Sequence, residues 1–185
     1  WLSQHGGEII ALRCLTELAP AGTVDPAAID AARQAVVASK PAAAVVKKQK
    51  DTGVWAGNLL GLAASKATGV KDVGTIPQYR RLLQMGYPLT GRPFKLADRL
   101  LFRLLSRDDD PALLFEFRKM AAGDTHAESW ARWVIREASC AALAEAGHIE
   151  DPRLRGSAHK VASAVSQFLR STLSEKPFVK VAGKT

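Results

Sequence analysis

Residues 143–152, Leu-Ala-Glu-Ala-Gly-His-Ile-Glu-Asp-Pro, contain the signals that decide the fold. Gly147 can adopt the left-handed conformation that ends many helices. Asp151 and Pro152 then favour a new helix, because the aspartate can cap free backbone amides and proline fits the first helical turn. Leucine, alanine and valine recur at helical spacing on both sides. The stretch therefore predicts two helices joined by a short turn.

Two further joints of this kind precede it in the sequence. Each has a leucine four residues before a glycine and a proline within seven residues after it: Leu18, Gly22 and Pro26; Leu82, Gly86 and Pro93; Leu143, Gly147 and Pro152. Convincing strand alternation is absent, so we predict an all-α fold. Antiparallel helix pairs near residues 6–39, 76–106 and 125–174 would stack as an α-solenoid or as part of an α/α toroid, since such pairs bury a face only against their neighbours. We expect one helical-repeat domain over residues 1–175 and a tail at 176–185.

The length and composition agree with a single domain. The chain has 185 residues, of which 47% are apolar, and this is enough to form a core. Its apolar stretches are interrupted well short of the ~20 residues that a membrane helix needs, so we expect no membrane span. Cys14 and Cys140 lie in apolar helical patterns, which indicates buried thiols in a reducing compartment and favours a cytoplasmic protein. Because the chain begins at Trp1 instead of a methionine, we interpret it as a segment of a larger chain.

Charge is unevenly distributed along the chain. The net charge is +8, but residues 47–107 contain 12 basic and 3 acidic residues, whereas residues 108–151 contain 4 basic and 10 acidic ones. The basic block could attract phosphates or an acidic partner. It could equally face the acidic block within the fold, and the sequence leaves both interpretations open.

The basic block includes a regular stripe on one predicted helix. The stripe consists of five residues at spacings of 3, 4, 4 and 4: Arg92, Lys95, Arg99, Arg103 and Arg107. Such spacing places the side chains on one helical face, and Arg80 and Arg81 lie on the preceding helix of the same pair. These seven residues are candidates for binding an anion or a nucleic acid. The alternative is a solvated face that is partly paired with acidic residues.

One short segment resembles a known motif. Residues 49–55, Gln-Lys-Asp-Thr-Gly-Val-Trp, are similar to the Gln-x-x-x-Gly-x-Trp motif of the terpenoid cyclase and prenyltransferase α/α toroids. The resemblance implies that the glutamine and the tryptophan tie successive helices together. Gln49, Gly53 and Trp55 would then form a structural motif, in preference to a surface on which a substrate stacks. Residues 151–158, Asp-Pro-Arg-Leu-Arg-Gly-Ser-Ala, resemble the helix opening of HEAT-like repeats.

The catalytic motifs of the toroid families are missing. Arg107 stands where a cyclase would have the first aspartate of Asp-x-Asp-Asp, and Cys140 lacks the aspartate of the zinc-binding Asp-x-Cys pair of protein prenyltransferases. The four histidines show no metal-binding spacing. We therefore expect no metal and no cofactor, and catalytic residues stay unassigned. Asp110, the last residue of an acidic run, is expected to cap the helix that begins at Pro111.

Four aromatic residues are concentrated in one part of the chain: Phe115, Phe117, Trp130 and Trp133. Aromatic residues in a helical repeat usually pack between its layers, so we expect core positions, with a concave pocket as the alternative. The repeat and the missing catalytic motifs favour a non-enzymatic scaffold or interaction domain. Its partner would be another protein or the rest of its own chain. A fragment of a toroid enzyme and a helical repeat that binds nucleic acid are the alternatives.

Overall fold

The computed structural model describes residues 1–61, 74–106 and 109–175, except for the side chain of Leu173. Within these ranges the chain forms helices and turns and no β-strand, which confirms the all-α fold class. The expected tail at residues 176–185 lies outside the described residues.

The described residues contain nine α-helices: α1 Leu2–His5, α2 Gly7–Arg13, α3 Pro26–Ala38, α4 Lys40–Val46, α5 Thr75–Gln84, α6 Arg92–Leu105, α7 Arg118–Ala121, α8 Thr125–Glu145 and α9 Pro152–Arg170. A π-helix follows α2 at Cys14–Leu18, and 3₁₀-helices occupy Pro111–Phe117 and Thr172–Ser174. The sequence pattern also predicts a helix near residues 57–66, but the described part of this stretch, residues 57–61, forms turns instead.

The signals at the helix joints act as the sequence predicts. Positive φ values of +77°, +73° and +85° occur at the three joint glycines, Gly22, Gly86 and Gly147. Aspartate side chains cap α3, the 3₁₀-helix at Pro111–Phe117 and α9, each accepting a hydrogen bond from the backbone amide two residues ahead, whereas α6 begins after Gly91 without a side-chain cap. The distances are 3.0, 2.8 and 2.8 Å for Asp25, Asp110 and Asp151. Gly86 and Gly147 therefore lie just after the ends of α5 and α8, and Asp25 and Asp151 mark the starts of α3 and α9.

The core is built around α6 and α8. Phe94, Ala97 and Leu101 are fully buried on α6, and Ala131 and Leu143 are fully buried on α8. Helix α6 contacts α5, α8 and α9, and α8 contacts α5, α7 and α9. One face of α6 therefore lies against its neighbours, which leaves the opposite face for solvent.

The N-terminal helices α1 to α3 lie at the edge of this core. They contribute only Leu12 and Val36 as buried apolar residues. Leu12 packs directly on the joint between α5 and α6, because a β-carbon at Gly86 would lie 2.6 Å from Leu12 Cδ2. The glycine joint therefore also allows α2 to approach the core.

Candidate interaction surfaces

The segment after α4 is held by the side chains of the Gln-x-x-x-Gly-x-Trp motif. The Gln49 side-chain amide donates hydrogen bonds to the carbonyl oxygens of Gly53, at 3.2 Å, and Pro93, at 2.9 Å. The Trp55 indole is 1% exposed and donates to the carbonyl oxygen of Val45 at 2.8 Å. The polar groups of both side chains are thus engaged within the fold, where they join α4, the segment and the start of α6.

Gly53 allows the same segment to lie directly against α6. Its φ is +87°, a conformation that other residues rarely adopt. A β-carbon at this position would lie 2.4 Å from the carbonyl oxygen of Leu96. Glycine is therefore required here for two reasons, the backbone conformation and the close approach.

Helix α6 presents an exposed basic face, which we call the basic ridge and which consists of Arg92, Lys95, Arg99 and Arg103. Its two ends form ion pairs. Arg92 Nη2 lies 2.7 Å from Asp51 Oδ1, and Arg103 Nη2 lies 3.1 Å from Asp110 Oδ2. Lys95 and Arg99, in the middle, form no ion pair with another described residue.

The remaining candidates for anion binding are placed differently. Arg80 turns toward α8, where its Nε lies 2.7 Å from Glu145 Oε2. Arg81 is exposed on α5, and Arg107 lies outside the described residues. The Arg80 pair and the pair at the C-terminal end of the basic ridge both connect the basic block with the acidic block. Part of the basic charge is therefore neutralised inside the fold.

Two further lysines lie in the stretch that Gln49 ties to the start of α6. The hydrogen bond from Gln49 to Pro93 brings residues 47–50 to the start of α6, and Lys47 and Lys50 are exposed there. Helical spacing does not show that residues 47–50 meet the start of α6, so Lys47 and Lys50 are not among the candidates predicted from the sequence. The motif was the available signal, because its implied role is to join these elements.

A second surface is apolar, and we call it the apolar face: Trp130, Trp133, Val165, Phe168 and Leu169. Trp130 and Trp133 of α8 are 49% and 40% exposed, so the expectation that both lie in the core is wrong. Phe117 is buried, as expected, and packs edge-on against Trp130 with 5.8 Å between ring centroids. The tryptophans are exposed because α9 buries only Leu154 and, among the described residues, no element covers the outer side of the α8–α9 pair.

The two helices of this pair meet at a narrow cleft within the apolar face. Trp133 and Val161 line the cleft together with the charged residues Arg136, Glu137 and Lys160. Val165 and Phe168 follow Val161 by four and seven residues, so they continue along the same side of α9. The apolar face is therefore a strip along the α8–α9 pair and not a set of scattered side chains.

Tyr79, Asp98 and His148 form a polar cluster in which Tyr79 is buried and the other two residues are partly buried. The Tyr79 hydroxyl donates a 2.7 Å hydrogen bond to Asp98 Oδ1, and His148 Nε2 lies 3.2 Å from Asp98 Oδ2, outside regular hydrogen-bond alignment. Burial raises the pKa of the Asp98 carboxyl, although Tyr79 and His148 oppose this shift. Burial and the neighbouring Asp98 raise the pKa of Tyr79. The cluster joins α5, α6 and the turn after α8, and this connection indicates a structural role.

Clusters of metal ligands and membrane-spanning helices are both absent from the described residues. Among the described residues, no three histidine, cysteine, aspartate or glutamate side chains are grouped to hold a metal ion. Cys14 is half-buried, Cys140 is buried, and neither is in a disulfide. No helix in the described ranges combines the length and the apolar character needed to cross a bilayer.

Comparisons with known proteins do not assign the chain to a family. No family model, no curated protein and no solved structure matches it. The proposed function therefore rests on the surfaces described above.

Proposed function

We propose that this chain is a non-enzymatic helical interaction domain that binds an amphipathic helix of a protein partner. The apolar face is the observation that supports the proposal. Contiguous exposed apolar side chains typically mark interaction sites, and tryptophan is enriched among the residues that dominate binding energy. A strip along two antiparallel helices suits the docking of a third helix, which would lay its apolar side against it.

The proposed architecture explains why this face is exposed. We propose that the pairs α2–α3, α5–α6 and α8–α9 are successive units of an open α-solenoid. Each pair in a solenoid covers a face of its neighbour, so a pair at the end of the stack keeps one apolar face uncovered. A helix that binds this face would then take the position that a further helix pair would occupy in the stack. A helix of another protein and a helix from elsewhere in the same chain offer the same chemistry.

The charge of α9 defines the chemistry of the partner. Between Pro152 and Arg170 the helix contains no acidic residue. Of its basic residues, Arg153 and Arg155 pair with Asp151 and Glu150, whereas Lys160 and Arg170 form no ion pair with another described residue. A partner helix with an apolar stripe and acidic flanking positions complements both properties. The proposed partner is therefore an acidic amphipathic helix.

A model peptide tests this proposal directly. The peptide has leucine at positions i, i+3, i+4 and i+7 of a helix and glutamate at the other positions. Binding is followed through the emission of Trp130 and Trp133 in a Trp1→Phe background, since Trp55 is already buried. We expect a saturable shift of the emission to shorter wavelength, and weaker binding when the glutamates are replaced by lysines.

Substitutions locate the binding surface. The variant Phe168→Ser/Leu169→Ser should weaken binding at least tenfold, or about 1.4 kcal/mol. The matched control is Leu18→Ser/Leu89→Ser, which changes two exposed leucines outside the apolar face and should leave the affinity unchanged. Equal affinity in both variants contradicts the proposal. So does sedimentation analysis that shows a stable dimer of the chain with its tryptophans buried.

A second candidate function is nucleic-acid binding through the basic ridge. It is favoured by the exposed Lys95 and Arg99, which form no ion pair with another described residue, and by the exposed Lys47 and Lys50 in the stretch tied to the start of α6. Reversal of charge in Lys95→Glu/Arg99→Glu should abolish salt-sensitive binding to double-stranded or single-stranded DNA. The control Arg170→Glu reverses a charge on α9 and should have a much smaller effect. This candidate fails if the unmodified protein shows no salt-sensitive binding at low ionic strength.

The third alternative, a fragment of a toroid enzyme, has only the motif at residues 49–55 as its support. The polar groups of that motif already form hydrogen bonds inside the fold. An interaction domain explains the same bonds without a catalytic site, and we prefer it. The cytoplasmic location stays a prediction.

A further inference from the structure

A groove lies between three elements: residues 52–57, which belong to the segment after α4, helix α6 and the 3₁₀-helix at Pro111–Phe117. Its volume is about 700 Å³, which is within the range of small-molecule sites. Apolar side chains from all three elements line it: Val54, Leu100, Leu113 and Phe115. The groove shares no residue with the apolar face on α8 and α9. It is therefore a separate candidate site.

Backbone strain is concentrated at this groove. Phe115 has φ +45° and ψ −123°, and Ala56 has φ +55°. Within the described residues these are the only non-glycine positions with positive φ. Phe115 lines the groove, and Ala56 directly precedes Gly57, which also lines it. Such conformations cost about 1–3 kcal/mol each and cluster at ligand-binding sites, so the strain singles out this groove.

The two acidic residues of the groove already have partners. The Glu116 carboxylate accepts hydrogen bonds from three consecutive backbone amides, at 2.8, 2.7 and 3.1 Å from Leu59, Leu60 and Gly61. Asp110 accepts one from Arg103 at 3.1 Å. The Asp110 charge is therefore paired with that of Arg103, and the Glu116 carboxylate is stabilised by the three amides.

Two basic residues of the groove are available. Arg118 and Lys119 line it and are exposed, and neither forms an ion pair with another described residue. With Arg103 included, three cations stand against two carboxylates, so the groove has a net positive charge. Its apolar lining, together with the exposed Arg118 and Lys119, suits a ligand that is apolar at one end and anionic at the other.

We propose that the groove binds a small amphipathic carboxylate. The apolar tail contacts Val54, Leu100 and Phe115, and the carboxylate lies between Arg118 and Lys119. Arginine binds a carboxylate through two parallel hydrogen bonds, and the lysine adds a second charge. This activity goes beyond the proposed binding of a partner helix, because the ligand does not touch the apolar face.

Calorimetric titration of the full chain with decanoate, below its micelle concentration, tests the proposal. Decanol has the same tail without the charge, and decyltrimethylammonium reverses the charge. We expect saturable binding of decanoate that is at least tenfold tighter than binding of decanol, and no saturable binding of the cation. Decanoate with a nitroxide on its chain should broaden the amide signals of Val54, Gly57 and Phe115 more than those of α9.

The variant Arg118→Gln/Lys119→Gln should remove the tenfold preference for the carboxylate and leave decanol binding unchanged. The control Phe168→Ser/Leu169→Ser should bind decanoate as tightly as the unmodified protein, which separates the groove from the apolar face. Three results overturn the proposal: no binding of decanoate, equal binding of decanoate and decanol, or loss of binding in the control variant. Line broadening confined to α8 and α9 also overturns it, and it does so without any variant.

Discussion

Gln49 and Pro93 are 44 residues apart, and a 2.9 Å hydrogen bond joins the glutamine side-chain amide to the proline carbonyl. Pro93 lies in the first turn of α6, the helix that carries the basic ridge. The bond fixes the segment after α4 against the first turn of α6, where the ridge begins. It also positions one wall of the groove, so both surfaces depend on this contact.

Replacing Gln49 with glutamate removes the donor and places a carboxylate beside two carbonyl oxygens. Gln49→Glu should lower the free energy of unfolding by about 1–3 kcal/mol, the usual cost of leaving a polar group without its partner. Urea unfolding measures the difference. Gln34→Glu, at an exposed position of α3, is the control and should change stability little. A similar loss in both variants would mean that the added charge, and not the lost bonds, causes the effect.

Gly53 and Gly22 form a matched pair for a second test. Both have positive φ, but an added β-carbon would lie 2.4 Å from Leu96 O at Gly53 and would meet no atom within 4 Å at Gly22. Gly22→Ala should therefore cost only the conformational penalty of about 1–2 kcal/mol. Gly53→Ala should cost a further 1–3 kcal/mol or so, because the backbones must separate. Thermal or urea unfolding compares them, and equal losses would show that α6 does not approach this closely.

Glu116 offers a test of how the residues after Trp55 are held. Glu116→Gln loses the charge and turns an amide group toward at least one of the three backbone donors. We expect a loss of about 1.5–3 kcal/mol in stability, typical of hydrogen bonds to a charged group. Amide exchange should accelerate at Leu59, Leu60 and Gly61 more than in α8. Glu137→Gln, an exposed control on α8, should leave the exchange of these amides unchanged.

The raised pKa of Asp98 predicts how the stability of the fold changes with pH. Burial raises the pKa of its carboxyl above the ordinary value of 3.8, so the folded state holds the proton more tightly than the unfolded state does. The contribution of Asp98 therefore stabilises the fold at low pH and is lost as pH rises from 3.8 through the raised pKa. At pH values above the raised pKa, the contribution of Asp98 to the free energy of unfolding no longer changes.

The measurement compares unfolding free energies across this range with and without Asp98. Asp98→Asn does not titrate, so stability should fall more with rising pH in the chain that keeps Asp98. A His148→Gln background in both chains removes the imidazole that lies beside Asp98. The prediction is contradicted if the unfolding free energy of the chain with Asp98, relative to that of the Asp98→Asn chain, stays constant or increases as pH rises.

Much of the fold could be predicted because its signals act locally. Asp151 and Pro152 start α9 through contacts within one turn, and Gly147 ends α8 through its own backbone conformation. The same reasoning placed Asp110 at the start of a helix. The prediction of a helix at residues 57–66 was wrong for its described part, because apolar spacing gives no information about the positive φ at Ala56 and Gly57.

The surfaces were harder to predict because burial depends on distant neighbours. Trp130 and Trp133 have the spacing of core residues, and the same spacing serves an exposed strip equally well. Arg80 and Arg103 also looked alike in the sequence as members of one basic block. The fold turns Arg80 to Glu145 and leaves Arg103 in the ridge, paired with Asp110.

By itself, the sequence determined that the chain is all-α, where most helices begin and end, and which residues lie on the basic side of α6. These properties follow from backbone conformation, capping and helical spacing, which involve residues a few positions apart. Only the tertiary structure decided that α9 leaves the tryptophans of α8 uncovered, that residues 47–50 meet the start of α6, and that a strained groove forms beside Phe115. Each of these depends on contacts or gaps between segments far apart in the chain, and no local pattern encodes which elements will pack together.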